Sequence, residues 1–390
     1  MKLQPFQKRT WANIDLDAAE HNFHEIRNCL KSETKLCCVV KANGYGHGAV
    51  QLSKLYETLG ADYLAVSNIE EAIQLRNNSI NLPILILGYT DPRCARELAD
   101  QNITQCVFSY DYGVALSANA VEEGATVKIH IKIDTGMGRI GFQCQDCELD
   151  QAAEVCMLPG LAVEGIFTHF ASADEGEGGR EYTLGQFNKF MNAISYLEAK
   201  GINFKLRHCA NSAGIFDYPA THLDMVRAGV VLYGLQPSSV LHNPGNLKPV
   251  LMLKTIIDHI KSVHLGDCIS YGRELKADRE MRIATIPIGY ADGLWRSNFH
   301  NHMVVEVEGK LAPIVGRVCM DQCMIDVSEI PEVAVNSKVT VYGVGGDISV
   351  DHIAAANGTI NYEIVCALGE RVPRVYKRKG QTVAVVDNIV

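Results

Sequence analysis

Lys41 closes an apolar run, "KLCCVV", and opens "ANGYGHG", in which three of five consecutive residues are glycine. An amine at a strand end beside so bare a turn can form a Schiff base with an aldehyde or hold an anion. A solvated strand end is the plain alternative. Further along, Lys132 and Asp134 end "KIHIKID", His169 follows "EGIFT", His208 opens "HCANSAG" and Arg227 opens "RAGVVLYG". The last two stretches combine Asn, Ser and Gly at a turn, which supplies backbone and hydroxyl donors for a phosphate. A lysine in a cleft together with a phosphate cradle fits pyridoxal phosphate, whose aldehyde takes the amine and whose phosphate anchors it. The same residues could instead serve sugar phosphates.

These residues need a scaffold that gathers strand ends. Apolar, β-branched runs bounded by turn residues predict strands at 35–41, 62–67, 83–89, 104–109, 126–134, 162–169, 203–208 and 222–227. Helical patterns separate most of them. "SNIEEAIQLRN" has Ser67 or Asn68 placed to cap, and "YTLGQFNKFMNAISYLEAKG" ends on Gly201, a suitable residue just past a helix end. Eight such units predict a (β/α)8 barrel with its chemistry at the C-terminal strand ends. A doubly wound sheet is the alternative, although it usually has fewer parallel strands. Beyond "LYGLQPSSVLHNPGN" the runs shorten and alternate, as in "RIATIPIGY" and "KVTVYGV", which predicts a mainly-β domain. The expected organisation is therefore α/β: residues 1–13 form a strand joining the β domain, 14–245 the (β/α)8 TIM-type barrel, and 246–390 the C-terminal mainly-β domain.

At 390 residues the chain is too long for one core. Its 47% hydrophobic and 21% charged residues are ordinary for a globular protein. A net charge of −9 argues against a nucleic-acid partner. No apolar stretch is long enough to span a bilayer, and "MKLQPFQKRTWANIDLD" shows no secretory signal, so a cytoplasmic enzyme is expected. The 13 cysteines then read as reduced and mostly buried. Cys144 and Cys147 form a C-x-x-C, either a redox pair or half of a zinc site, but no second pair completes a metal set.

The segments "WANIDLDAAEHNF", "VVKANGYGHG", "KIDTGMGRIGF", "THFASAD", "HCANSA", "VRAGVVLYG", "SYGRE", "IPIGYADG", "GRVCMDQ" and "NYEIVCALGERVPRVY" occur in this order. Together they resemble alanine racemase, a fold-type III pyridoxal-phosphate family, over nearly the whole chain. The resemblance implies interconversion of L- and D-alanine by two-base proton transfer at Cα, supplying D-alanine for peptidoglycan in the cytoplasm. It implies pyridoxal 5'-phosphate as cofactor, no metal, no nucleic-acid or membrane partner, and a homodimer with shared active sites.

On the same resemblance Lys41 carries the cofactor and acts as one base. The other base is Tyr271, expected from the partner subunit. Tyr45, Asn211, Ser212, the amides of Gly229 and Val230, and the Tyr362 hydroxyl hold the phosphate side. Glycines 44, 46 and 48 would let backbone approach the cofactor. Arg227 faces the pyridine nitrogen; being always protonated it can only donate, which leaves the ring a weaker electron sink and favours return of the proton. His169 bridges Tyr271 and Arg227, and would help lower the tyrosine's pKa from about 10. Arg139, Met320 and Asp321 meet the substrate carboxylate. Lys132 stands where this family often has a carbamylated lysine; an ion pair with Asp134 is the alternative. Tyr290 and Tyr362, with Asp174, Arg296, Arg317 and Ile360 outside them, narrow the entrance.

Three rival readings differ at particular residues. Glycopeptide-resistance serine racemases carry a fused membrane domain and tend to replace the tyrosine matched by Tyr362. Fold-type III decarboxylases put an acid where Arg227 stands. Single-barrel pyridoxal-phosphate carriers stop before the β domain that holds Tyr271 and Met320.

Overall fold

The computed structural model describes residues 9–343 and 345–389; the first eight residues of the expected N-terminal strand segment lie outside these. The described residues divide into two compact units. One comprises the chain up to Ala19, Tyr45–Gly48 and everything from Lys248; the other comprises Glu20–Gly44 and Ala49–Leu247.

The second of these is a nearly closed parallel barrel. After β1 (Trp11–Asp15) and the helix Leu16–Asn28 come β2 (Lys35–Val39), β3 (Tyr63–Val66), β4 (Ile84–Ile86), β5 (Ile103–Val107) and β6 (Val127–Asp134). A two-residue strand β7 (Phe142–Gln143) precedes β8 (Leu161–Phe167), β9 (Leu206–His208) and β10 (Met225–Ala228). The order is β10-β2-β3-β4-β5-β6-β8-β9, with β7 added to β6. All of these pairs are parallel. Such strands are covered on both faces, so "YLAV" and "ILI" are apolar throughout and buried at every position. Between β9 and β10 a side chain reinforces two backbone hydrogen bonds. The Asp224 and Arg227 amides donate to the carbonyls of Arg207 and Ala210 at 3.1 and 3.0 Å. The Asp224 carboxylate accepts from the Arg207 amide at 2.8 Å and from its Nε at 2.7 Å.

The helices start where the polar residues predict. Asn68 caps Ile69–Asn77 by accepting from the Glu71 amide, and Ser109 caps Tyr110–Glu122. The long helix Glu177–Ala199 begins five residues before the amphipathic stretch that predicts it, and Gly201 follows with φ +86°.

The other unit is built on a 10-stranded sheet. Its β11 (Leu251–Ile256) pairs antiparallel with β1, which pairs on its other side in parallel with Arg374–Arg378. Trp11, Ile256 and Val375 form one buried cluster there. A separate two-stranded hairpin, Cys268–Ile269 with Leu275–Lys276, packs through Ile269 into a second core with Val263, Met281, Ile283 and Val315.

Tyr45–Gly48, within the segment expected to be barrel, packs with the sheet unit. Arg374 Nε donates to the Gly46 carbonyl at 3.0 Å, and the Tyr376 hydroxyl donates to the His47 carbonyl at 3.0 Å. A Cβ on Gly46 would lie 2.2 Å from the Val365 carbonyl oxygen, and one on Gly48 would lie 1.8 Å from the Tyr376 hydroxyl. These two glycines thus allow close packing within the protein.

Candidate active site

At the C-terminal end of the barrel, β2 stops at Val39 and Lys41 opens the next turn, two residues beyond the strand it was expected to end. The backbone then turns left-handed for four residues, with φ +52° at Ala42, +51° at Asn43, +60° at Gly44 and +51° at Tyr45. Each non-glycine in that region costs about 1–2 kcal/mol, so surrounding bonds must hold the turn. Glu71 does so with both oxygens, accepting from the Ala42 amide at 2.6 Å and the Ser67 amide at 2.7 Å. Asn43 Oδ1 accepts from the Ala49 amide at 3.0 Å, and the Gly44 amide donates to the Val40 carbonyl at 2.8 Å. The Tyr233 hydroxyl ties down the Val39 carbonyl at 2.8 Å. Lys41 therefore starts from a rigid platform.

Arg227 on β10 is fully enclosed. Its Nη1 donates to His208 Nδ1 at 2.8 Å, and its Nη2 reaches the carbonyls of Thr168 at 2.8 Å and Cys209 at 3.1 Å, and His169 Nδ1 at 3.3 Å. Burial pulls the guanidinium down to about 10, still high enough to stay charged at neutral pH. Since arginine only donates, Nδ1 of His169 carries the lone pair and its proton sits on Nε2. Burial holds His169 well below its ordinary pKa, and the charges of Arg227, Lys132, Arg139 and Lys41 push the same way. His169 is thus a neutral imidazole. It can donate a hydrogen bond to a phenolate but brings it no positive charge.

Lys132, on β6, is 3% exposed, and its Nζ lies 5.0 Å from the centre of the Phe167 ring. Burial first, then Arg227, lowers its pKa to about 7. The alternative reading, an ion pair with Asp134, does not form. Asp134 Oδ1 is occupied by the amides of Gly136, Met137 and Gly138 at 2.9, 2.9 and 3.1 Å, because the loop after β6 wraps around it. That loop carries the exposed Arg139. Gln186 secures it by donating to Thr135 Oγ1 and the His169 carbonyl, both at 3.2 Å, and by accepting from the Ala171 amide at 2.9 Å. Asp174, in the loop between β8 and the helix Glu177–Ala199, is half-buried, which raises its carboxyl pKa.

After β9, Asn211 caps the short helix Ser212–Asp217, and Ser212 Oγ accepts from the Gly229 amide at 2.9 Å. The last two barrel loops are thereby joined, and Val230 beside them is fully buried. The Ser212 hydroxyl remains able to donate elsewhere.

The sheet unit holds the remaining candidates in three groups. The ring centres of Tyr45 and Tyr362 lie 6.0 Å apart. Tyr271 sits in the connection of the small hairpin, 63% exposed, between Ser270 at φ +67° and Gly272 at φ +76°. Ser270 Oγ donates to the Arg317 carbonyl at 2.6 Å, while the Arg317 guanidinium pairs with Glu274. Arg296 adds its charge at the same carboxylate. Third, the Tyr290 and Ala291 amides donate to the carbonyls of Cys319 and Met320 at 3.1 Å each, which joins the Tyr290 turn to the Met320–Asp321 turn. Ile360 is exposed at the edge of the helix Asn361–Cys366.

The sequence reading missed the residue that organises that third group. Asp292, wholly buried, takes Arg9 through both oxygens at 2.7 and 2.6 Å and Arg371 Nε at 2.8 Å. Arg371 also donates to Asp321 at 2.7 Å. It missed Glu71 and Gln186 as well; neither differs in the sequence from a surface helix residue. Among the described residues, no cluster suits a metal and no helix is long and apolar enough to cross a membrane.

Family comparisons agree with these two units. The alanine racemase N-terminal domain matches residues 14–237 and the C-terminal domain residues 250–376. The chain is 48% identical to the alanine racemase of Desulfovibrio desulfuricans over 375 residues, which is 95% of this chain and 99% of that one. It is 46% identical to that of Clostridium tetani, over 96% and 97%. Among solved structures, alanine racemase from Clostridium difficile 630 superposes with a TM-score of 0.93 at 39% identity, covering both chains fully. The Bacillus anthracis alanine racemase with bound L-Ala-P gives 0.92 at 40% identity, covering 98% and 99%. A polar barrel mouth built on Lys41, His169 and Arg227, a second unit carrying Tyr271, and likeness along almost the full length lead to one conclusion: this chain belongs to the alanine racemase family, a pyridoxal-phosphate type of racemase.

Proposed function

We propose that this protein interconverts L- and D-alanine with pyridoxal phosphate held at the barrel mouth, acting as a cytoplasmic homodimer that supplies D-alanine for peptidoglycan. The observation that carries the reading is the gathering of Lys41, Lys132, Arg139 and Arg227 about one neutral imidazole, His169. Such a concentration of positive charge calls for anionic ligands, here a phosphate and a carboxylate. The donor set fits the cofactor. Lys41 is an amine on a rigid turn, the Ser212 hydroxyl and the Val230 amide offer donors while the Gly229 amide is held by Ser212, and the buried Arg227 presents only N–H groups.

When bound, pyridoxal phosphate would supply the electron sink that acidifies Cα. Arg227 cannot accept a proton and would keep the ring nitrogen unprotonated. That limits the sink and favours rapid reprotonation over side reactions. Lys41 would hold or release the Cα proton on one face, and Tyr271 of the partner subunit on the other. His169, donating from Nε2, would stabilise the phenolate. Arg139, with Met320 and Asp321, would hold the substrate carboxylate, and Tyr45 and Tyr362, already ring to ring, would close on the phosphate side. Tyr290 and Tyr362 would form the inner gate, with Asp174, Arg296, Arg317 and Ile360 outside. The exposure of Tyr271, Tyr290 and Met320 on one protomer supports a partner that covers them. Cys37, Cys38, Cys106, Cys209 and Cys323 are buried free thiols, which supports a reducing compartment.

Near neutral pH a substantial fraction of Lys132 is unprotonated. Its nitrogen would attack carbon dioxide and lose a proton, giving a carbamate that accepts from Arg139. Deuterium exchange at Cα across a panel of small amino acids in D2O tests the assignment. Fast exchange is expected for both enantiomers of alanine, and faster exchange for serine would overturn the substrate.

A further inference from the structure

A line of buried polar groups runs from Arg227 back through the barrel, and the catalytic reading makes no use of it. Arg227 donates to His208 Nδ1, so that nitrogen must be bare and the proton of neutral His208 lies on Nε2. His208 Nε2 faces His130 Nδ1 at 2.9 Å, so His130 accepts there and keeps its own proton on Nε2. That nitrogen, buried with no hydrogen-bond partner at normal length, faces Glu164 Oε2 at 3.6 Å. The Glu164 carboxylate also accepts from the Tyr63 hydroxyl at 2.9 Å and Thr104 at 3.4 Å.

The fold makes room for this line deliberately. Pairing of β6 with β8 shifts register between Ile129 and His130: Ile129 opposes Val163 and His130 opposes Gly165, leaving Glu164 as the extra residue. A Cβ on Gly165 would lie 2.8 Å from the His130 ring, so only glycine leaves the imidazole its place. His208 stacks on Phe167 with ring centres 4.8 Å apart and planes within 3°. Burial is the largest influence on both histidines and lowers their pKa; the Glu164 carboxylate pulls His130 the other way without overcoming it, and the Arg227 charge lowers both, so both rings stay neutral.

We propose that Glu164 is a positioning residue for Arg227, acting through His130 and His208 by selecting a single tautomer at each ring. Among the described residues no carboxylate pairs with Arg227, and the nearest counter-charge along its own hydrogen bonds is Glu164, two imidazoles away. Every N–H in the line points from the guanidinium toward the carboxylate, and bonds in such a row polarise one another. With Glu164 removed, His130 can place its proton on Nδ1. His208 must then carry its proton on Nδ1, against an Arg227 donor, and the guanidinium loses its fixed seat. The tautomer argument stands on geometry alone. It rests on the proposed function only for its consequence, the orientation of Arg227 toward a cofactor ring.

The test is 15N NMR of the full-length protein with labelled histidine, at neutral pH, without cofactor. Wild type should show both His130 and His208 as neutral Nε2–H tautomers. Glu164→Gln, whose amide oxygen can still accept, should keep that pattern, whereas Glu164→Leu should lose the single tautomer at His208. A loss of folding alone would not give that contrast, because Glu164→Gln and Glu164→Leu are compared at matched circular dichroism. Nδ1–H at either histidine in wild type, or an unchanged His208 tautomer in Glu164→Leu, would overturn the proposal. Neither outcome bears on whether the protein racemises alanine.

Discussion

Lys132 lies against the Phe167 ring, 5.0 Å from its centre, while the carboxylate two residues along the strand is turned away into loop amides. An amine in that setting keeps a pKa of about 7. The ordinary lysine value is about 10.4, so between the two the unfolded chain binds more protons than the folded one. Stability should therefore rise with pH across that window, by at most about 1.4 kcal/mol per pH unit from this group. Urea unfolding at stepped pH measures the slope, and Lys132→Met should flatten it. With 13C-labelled bicarbonate a carbamate carbon signal is expected in wild type and not in Lys132→Met.

Tyr271→Phe should remove one of two bases and leave Lys41 in place. Abstraction from one enantiomer of alanine should fall at least about 100-fold, the usual scale for a lost acid–base group, and the other far less. Primary deuterium effects from each enantiomer measure this. Equal losses in both directions would end the two-base assignment.

A shared site makes a further demand. Lys41→Ala and Tyr271→Ala chains, each inactive alone, should form mixed dimers with one intact site when co-expressed. Activity in the purified mixed dimer is the readout. None at all would mean that each protomer is self-sufficient.

Asp292→Asn keeps the size of the side chain but leaves Arg9 and Arg371 without their buried counter-charge. A loss of about 1–3 kcal/mol is expected from urea unfolding, because buried hydrogen bonds to charged groups are weakened while both guanidiniums, a third exposed, keep part of their hydration. Since Arg371 also holds Asp321, KM for alanine should rise more than kcat falls.

Gly46→Ala should unfold the sheet unit or prevent soluble expression. Its Cβ would meet a backbone oxygen that cannot swing aside, at φ +79° where alanine is already strained. Gly60→Ala, also at positive φ but in open space, controls for the strain alone.

Strand count, barrel class, the texture change near residue 246 and most of the chemistry-bearing positions can be read from the chain alone. They follow from local signals: apolar runs of strand length, capping residues such as Asn68, and short motifs whose spacing fits a turn. Other features required the three-dimensional arrangement, because they depend on which distant residues become neighbours. Nothing in "VVKANGYGHG" says that Glu71 will hold its left-handed turn, or that Gly46 will press on Val365. Asp134 lies two residues from Lys132, and only the path of the loop between Thr135 and Gly141 decides that they do not pair. Glu164 and His130 read as two polar residues in separate strands until a one-residue bulge sets them face to face. Charge state follows the same rule: a histidine's type is written in the sequence, but its burial among cations, and hence its neutrality, belongs to the fold.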